Sequence, residues 1–111
     1  MTTKAEKLEE FARAWSDADA NYADDIAAAG TDTKLRHDID RNWWQHQTNW
    51  AMAATAALEE NNDKVEALYN EAKTANDAIA KGRKDAQKIT KIVKASGAVA
   101  KSLGGLLKAL A

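Results

Sequence analysis

The chain contains no cysteine and no proline, and only five of its 111 residues are glycine. Without cysteine there is no disulfide scaffold, no thiolate nucleophile and no thiolate site for zinc or an iron–sulfur cluster. Proline is the residue that most reliably breaks a helix, so its absence, together with 30% charged residues, favours long helices. The composition therefore predicts an all-α protein without covalent or thiolate–metal cross-links.

Large apolar side chains are also scarce. Apolar residues make up 45% of the chain, but 25 of them are alanine, which leaves 25 larger side chains for a core. Each stabilises folding by about 1.5 to 3 kcal/mol when buried, against roughly 1 to 2 kcal/mol of backbone entropy per ordered residue. We expect one domain over residues 1–111, and we expect self-association to add to its stability.

The sequence has no long hydrophobic run. No uncharged stretch reaches the roughly 18 residues of a membrane-spanning helix. The N-terminal residues, Met1 to Glu6, lack the apolar core of a signal peptide. These absences predict a soluble or peripheral protein, cytoplasmic by default.

Charge is divided unevenly along the chain, although the net charge is only -1. Residues 1–63 carry 13 acids and 6 bases, a net of -7, whereas residues 64–111 carry 4 acids and 10 bases, a net of +6. No acid follows Asp85. This asymmetry predicts either packing of the acidic half on the basic half or a basic tail that meets an anionic partner.

The first half predicts an antiparallel helical hairpin. Thr3 and Glu6 form a capping-box signature, and a helix of about 3–29 ends at Gly30. Asp32 or Thr33 then caps a second helix of about 33–60. The first apolar row comprises Leu8, Phe11, Trp15, Ala18, Tyr22 and Ile26, and the second comprises Leu35, Ile39, Trp43, His46, Trp50, Ala53 and Ala57. Trp15 and Trp50 are therefore predicted to be core residues.

The second half predicts a third helix of about 64–96, opened by Asp63 with Glu66, and a basic amphipathic tail of about 86–111. A heptad-spaced row runs without a slip from residue 65 to residue 110, as in a coiled coil. It comprises Val65, Leu68, Ala72, Ala75, Ile79, Gly82, Ala86, Ile89, Val93, Ser96, Ala100, Leu103, Leu107 and Leu110. The predicted fold is a three-helix or four-helix bundle, in which the last turns either project or bend back at Gly97 or at the Gly104–Gly105 pair.

The sequence lacks the residue patterns of a catalytic or metal-binding site. Asp17, Asp19 and Asn21 begin like a calcium loop, but the glycine and the closing glutamate of an EF-hand are missing. His37 and His46 lie nine residues apart and point to different faces of a helix. No serine elbow or phosphate-binding loop is present. We therefore expect no catalytic residues, no metal site, no cofactor and no enzymatic activity.

Two features instead predict binding. Trp43 and Trp44 diverge by about 100° on a helix, so one of them leaves the narrow apolar row. Either the apolar face is wide and buried between two neighbouring helices, or that tryptophan is an anchor for a partner or for lipid headgroups. The tail places apolar residues opposite lysines and resembles cationic amphipathic peptides. The candidate partner-binding or membrane-binding residues are Trp43, Trp44, Lys88, Lys91, Lys94, Val99, Lys101, Leu103, Leu106, Leu107, Lys108 and Leu110.

The sequence thus predicts a non-catalytic helical interaction or assembly protein. It is expected to self-associate, or to bind a helical protein partner, through the heptad-spaced row, and its tail is expected to contact anionic membranes. One alternative is a soluble structural or adaptor bundle without a membrane role. Another is a nucleic-acid-associated helical protein with a basic stripe near residues 81–91, which the whole-chain pI of 6.1 disfavours.

Overall fold

The computed structural model describes all 111 residues and contains four α-helices and no strand. Helix α1 is Lys4–Ala29, α2 is Thr33–Ala53, α3 is Asp63–Lys84 and α4 is Ile89–Leu110. The prediction of an all-helical bundle is confirmed. No helix combines the length and the apolar character that a membrane crossing requires.

Local capping fixes where three of the helices begin. Thr3 and Glu6 form the predicted capping box of α1, and the Asp32 side chain accepts from the Leu35 amide at the start of α2. The cap of α3 is Asn62, whose side chain accepts from the Val65 amide, and not the predicted Asp63. Gly30 ends α1 with a φ of +58°, a conformation that favours glycine.

The connection between α2 and α3 corrects the predicted end of the second helix, because α2 stops at Ala53 rather than near residue 60. Leu58 in this connection is fully buried. Lys7, which is also fully buried, donates from Nζ to the carbonyl oxygens of Leu58 and Glu60 at 2.8 and 2.6 Å. Continued helix would carry Leu58 and these carbonyls away from α1.

The prediction of one helix from 64 to about 96 is wrong, because α3 ends at Lys84 and α4 starts at Ile89. Ala86 takes a positive φ of 51°, and the Gln87 amide donates to the Gly82 carbonyl, which closes the turn. The reversal buries the apolar rows of α4 against the other helices. Gly97, Gly104 and Gly105 lie inside α4, so none of them is the predicted bend.

The helices pack so that every pair is in contact except α2 and α3. The ring order is therefore α1, α2, α4, α3, and α1 meets α4 across the short diagonal. Glu10 contacts Asn76 and Asp17 contacts Arg83, both at a separation of 66 residues. Because this offset is constant along the helices, α1 and α3 run parallel. Contacts at a separation of 51 residues, such as Asn42 with Val93, show the same for α2 and α4.

The core-facing row of α2 matches the predicted row at four positions and differs at two, where Asn42 and Asn49 stand in place of Trp43 and Trp50. The buried residues are Leu35, Ile39, Asn42, His46, Asn49 and Ala53. Trp43 is half-buried and Trp50 is 36% exposed, so the prediction that Trp50 is a core residue is wrong. The helix turns its asparagines inward because their amides find backbone carbonyl acceptors on α4.

Candidate functional site

The apolar part of the predicted binding tail lies in the core. Val99, Leu103 and Leu106 are fully buried, Leu107 is 6% exposed and Leu110 is half-buried. In this fold these side chains are occupied by contacts within the chain. They can meet a membrane only if α4 leaves the bundle.

The predicted lysines, by contrast, are all exposed. They are Lys88, Lys91, Lys94, Lys101 and Lys108. None takes part in any of the six ion pairs of the structure. The tail is therefore held without ion pairs, and its cations are available to an external anion.

The two adjacent tryptophans point to different sides of α2, and only one of them faces another helix. The centroid of the Trp43 ring lies 5.3 Å from that of Trp15 and 6.0 Å from that of Tyr22. Trp43 Nε1 donates to Asp19 at 3.1 Å. Trp44 is 62% exposed and touches Trp43 edge-on at 4.9 Å. Trp43 thus belongs to the α1–α2 contact, and Trp44 is the accessible member of the pair.

A cleft forms over α4 because α2 and α3 do not meet. Its volume is about 770 Å³. Its floor is the outer face of α4, and its walls are single faces of α2 and α3. The floor includes Gly97, Ala98, Lys101, Gly104, Gly105 and Lys108, and the walls include Arg41, Gln45, Lys64, Leu68 and Glu71.

The floor of the cleft is lined by small residues. A Cβ built on Gly97 would lie 3.4 Å from Asn42 Oδ1, and one built on Gly105 would lie 3.4 Å from Leu68 Cδ1. Both distances are ordinary van der Waals contacts, so a Cβ would fit there, and its absence leaves the outer backbone of α4 accessible. A helix laid in the cleft would meet backbone and short side chains.

The cleft is also basic. Four cations line it, Arg41, Lys64, Lys101 and Lys108, and Glu71 is the single acid. Arg41 pairs with Asp38 at 3.1 Å, and Glu71 accepts from Ser102 Oγ at 3.3 Å. The three lysines have no carboxylate partner within the chain. The local field therefore favours an anionic ligand.

Beneath the α2 wall of the cleft, buried polar side chains join α2 to α4. Asn42 Nδ2 donates to the Val93 carbonyl at 3.0 Å, and Asn49 Nδ2 donates to the Ala100 carbonyl at 3.1 Å. Between them, His46 Nε2 lies 2.9 Å from Ser96 Oγ. These contacts repeat at heptad spacing and fix the wall relative to the floor.

His46 is the most perturbed titratable group of this region. Burial lowers its pKa to about 4, although its contact with Ser96 and the charge of Asp17 act in the opposite direction. Its Nδ1 has no hydrogen-bond partner. The imidazole is therefore neutral at pH 7 and belongs to the core.

A histidine beside a serine is the pairing that activates a serine nucleophile, but this pair lacks the other requirements. His46 is 2% exposed and Ser96 is 8% exposed, so a substrate has no route to them. No carboxylate orients the imidazole through Nδ1. No group of three or more His, Asp or Glu side chains is placed to hold a metal ion.

Sequence reasoning found the cations of the α4 floor but missed the walls and the small-residue surface. Lys64, Leu68 and Glu71 share one face of α3 by their spacing of four and three residues, which was a readable signal. The role of Gly97 and Gly104 was not readable, because it depends on which helix lies opposite. The same holds for Asn42 and Asn49.

Comparison with known proteins adds no family to these observations. No family model matches the chain, and neither a curated protein nor a solved structure matches it significantly. The interpretation of the cleft therefore depends on its geometry and charge.

Proposed function

We propose that this protein is a non-catalytic helical interaction module that binds an acidic helical segment in the basic cleft over α4. The observation that carries the proposal is the combination of a glycine-rich floor with three lysines that have no partner in the chain. An enzyme would need accessible reactive groups, and the cleft presents cations and short side chains.

The shape of the cleft favours a helix as the ligand. The floor runs from Gly97 to Lys108 along the axis of α4. These twelve residues are separated by eleven rises and span about 16 Å in a helix, which is about three turns. Small residues on a helix face let a second helix approach closely, so an alanine-faced helix is the best steric match.

The proposal keeps a helical partner, as predicted, but moves its binding surface away from the heptad-spaced row. Support for this change comes from burial, because Leu103, Leu106 and Leu107 are already packed inside the bundle. The exposed lysines and Trp44 remain as the accessible members of the predicted binding set.

The proposal is tested with a synthetic helical peptide of alanine and glutamate, titrated into the full protein and followed by NMR. Perturbed amides should map to Gly97, Gly104, Gly105 and the facing turns of α2 and α3. Lys101→Glu should abolish the effect, whereas Lys91→Glu, on the same helix outside the cleft, should leave it unchanged. Perturbations spread evenly over all lysines, or none at all, would contradict the proposal.

A second candidate is conditional binding of α4 to anionic membranes, and one observation favours it. The helix carries four lysines, no acid and no ion pair, so no ion pair needs to break when it leaves the bundle, although its hydrogen bonds to α2 and α3 do. Co-sedimentation with anionic and with neutral vesicles tests it, with salt added to screen the attraction. Equal binding to both vesicles supports the soluble adaptor instead.

The nucleic-acid alternative has less support. Its basic stripe includes Arg83, whose guanidinium is already engaged by Asp17 and Asp25. A salt-dependent gel shift would still detect phosphate contacts if they form.

A further inference from the structure

The outer face of α1 has the chemistry that the cleft requires. Ser16, Ala20, Ala23 and Ala27 follow one another at steps of four, three and four, and all are exposed. Asp19 and Asp24 lie beside this row and are also exposed. Neither takes part in an ion pair of the structure. The face is therefore small, smooth and acidic.

The charge split of the sequence becomes a difference between two opposite sides of the bundle. Helix α1 carries seven acids and three bases, a net of -4, and α4 carries four lysines and no acid, a net of +4. Because α1 and α4 touch across the short diagonal, their outer faces point in opposite directions. Each molecule thus presents an acidic side and a basic side.

We infer that the occupant of the cleft is the outer face of α1 from a second copy of this chain. The inference rests on the proposed function and names its partner. The row from Ser16 to Ala27 spans twelve residues, the same length as the floor from Gly97 to Lys108. Docking sets Asp19 and Asp24 against the unpaired lysines of the cleft, while alanines meet glycines at the centre.

The geometry makes this association head-to-tail. The two complementary surfaces lie on opposite sides of one molecule, so a pair of copies cannot satisfy both at once. Each added copy leaves one acidic face and one cleft free. Such a heterologous contact closes into a ring or continues as a filament.

The experiment uses two variants of the full chain, each blocking one surface. Ala20→Gln with Ala23→Gln adds bulk to α1 without adding charge, and Lys101→Glu with Lys108→Glu reverses the cleft. By sedimentation equilibrium the wild type should grow beyond a dimer as concentration rises to about 100 μM, and each variant should associate at least about tenfold more weakly. A matched control, Ala51→Gln with Ala78→Gln, changes exposed alanines of α2 and α3 and should behave as the wild type.

Mixing the two variants decides the geometry. One supplies an intact cleft and the other an intact α1 face, so the mixture should form a 1:1 complex that grows no further. A mixture that stays monomeric, or a control pair that weakens association as much as the α1 pair, overturns the inference. A monomeric wild type that still binds the alanine–glutamate peptide in the cleft overturns only the self-assembly, and a wild type that does neither overturns the proposed function as well.

Discussion

The two pairs of parallel helices in this bundle are joined by different chemistry. Between α1 and α3 the contacts are partly ionic: the half-buried Arg83 spans Asp17 and Asp25, with four N–O distances of 2.6 to 3.0 Å. Between α2 and α4 they are neutral, with Asn42 and Asn49 donating to backbone carbonyls. Both kinds of contact fix the register of a helix pair, but only one depends on charge.

The difference follows from what each helix presents to its partner. On α4 the partner groups are the backbone carbonyls of Val93 and Ala100, which accept from the asparagine amides of α2. On α1 the partner groups include carboxylates, and Asn76 donates to both the backbone carbonyl and the carboxylate of Glu10 at 3.2 and 3.0 Å. The neutral contact leaves no buried charge behind when it is broken, whereas the ionic contact does.

The largest expected effect is on the ionic contact. Arg83→Met should destabilise the protein by about 3 to 4 kcal/mol at pH 7, because it leaves two partly buried carboxylates without a cation. Burial of the guanidinium opposes its charge, yet Asp25 and Asp17 outweigh burial and raise the pKa of Arg83. Urea denaturation measures the change. Lys34→Met, which breaks an exposed ion pair, is the control and should change stability by less than about 1 kcal/mol.

The α2–α4 contact also contains His46, so its contribution to stability should respond to mild acid. Because burial lowers the pKa of His46 from 6.5 to about 4, its contribution is complete above pH 6.5 and is lost as the pH falls toward 4. The loss should be about 3 kcal/mol, since each pH unit in this window costs about 1.4 kcal/mol. Hydrogen bonds from Thr2 and Asn61 lower the pKa of Glu66 to about 2, so its contribution to stability is lost only as the pH falls below 4.5.

The acid response is measured as the urea midpoint from pH 7 to pH 4.5 in the wild type and in two variants. His46→Gln should flatten the curve, and His37→Gln, at an exposed position, should not. A wild-type midpoint that stays constant across this range would show that His46 is not held neutral by the fold.

A matched pair of truncations compares the two contacts directly. Asn76→Ala should cost about 2 kcal/mol, because the buried Glu10 carboxylate loses a donor, and Asn49→Ala should cost about 1 kcal/mol, because a neutral carbonyl loses one. Both positions are buried, at 4% and 2% exposure, so their burial is closely matched. Equal costs would mean that the charge of Glu10 contributes nothing to the α1–α3 contact.

The smallest expected effect is a gain in stability at the turn that joins α3 to α4. Ala86 has a φ of 51°, a conformation that costs an L-residue about 1 to 2 kcal/mol. Ala86→Gly should stabilise the protein by about 0.5 to 1 kcal/mol after the added entropy of glycine in the unfolded chain is subtracted. Thermal unfolding detects this change, and Ala80→Gly within α3 should destabilise by a similar amount.

The helices themselves were largely predictable, and the break in the second half was not. The capping residues Thr3, Asp32 and Gly30 are local signals, and they mark the same ends in the structure. The heptad-spaced row passes through residues 85–88 without a slip, so it conceals the reversal at Ala86. That reversal depends on the burial of α4 against the other helices, and residue spacing along the sequence does not show which helices pack together.

The candidate binding residues were also only partly predictable from the sequence. Lys101, Lys108 and Trp44 were predicted as binding residues and are accessible, whereas Leu103 and Leu106 were predicted with them and are buried. Amphipathic spacing identifies an apolar face without saying whether the same chain or another partner covers it. A fourth helix in the bundle covers its own apolar face, and only its lysines remain outside.

The sequence by itself determined the all-helical class, the first hairpin and the separation of charge, because capping, periodicity and composition act over a few residues. The tertiary structure alone decided that the helices form a ring with α2 and α3 apart, and this arrangement creates the cleft. It also decided that Asn42 and Asn49 face inward while Trp50 faces out. The physical reason is that an amide is stable in a core only where a neighbouring helix supplies an acceptor at hydrogen-bond distance, and that neighbour lies about fifty residues away in the chain.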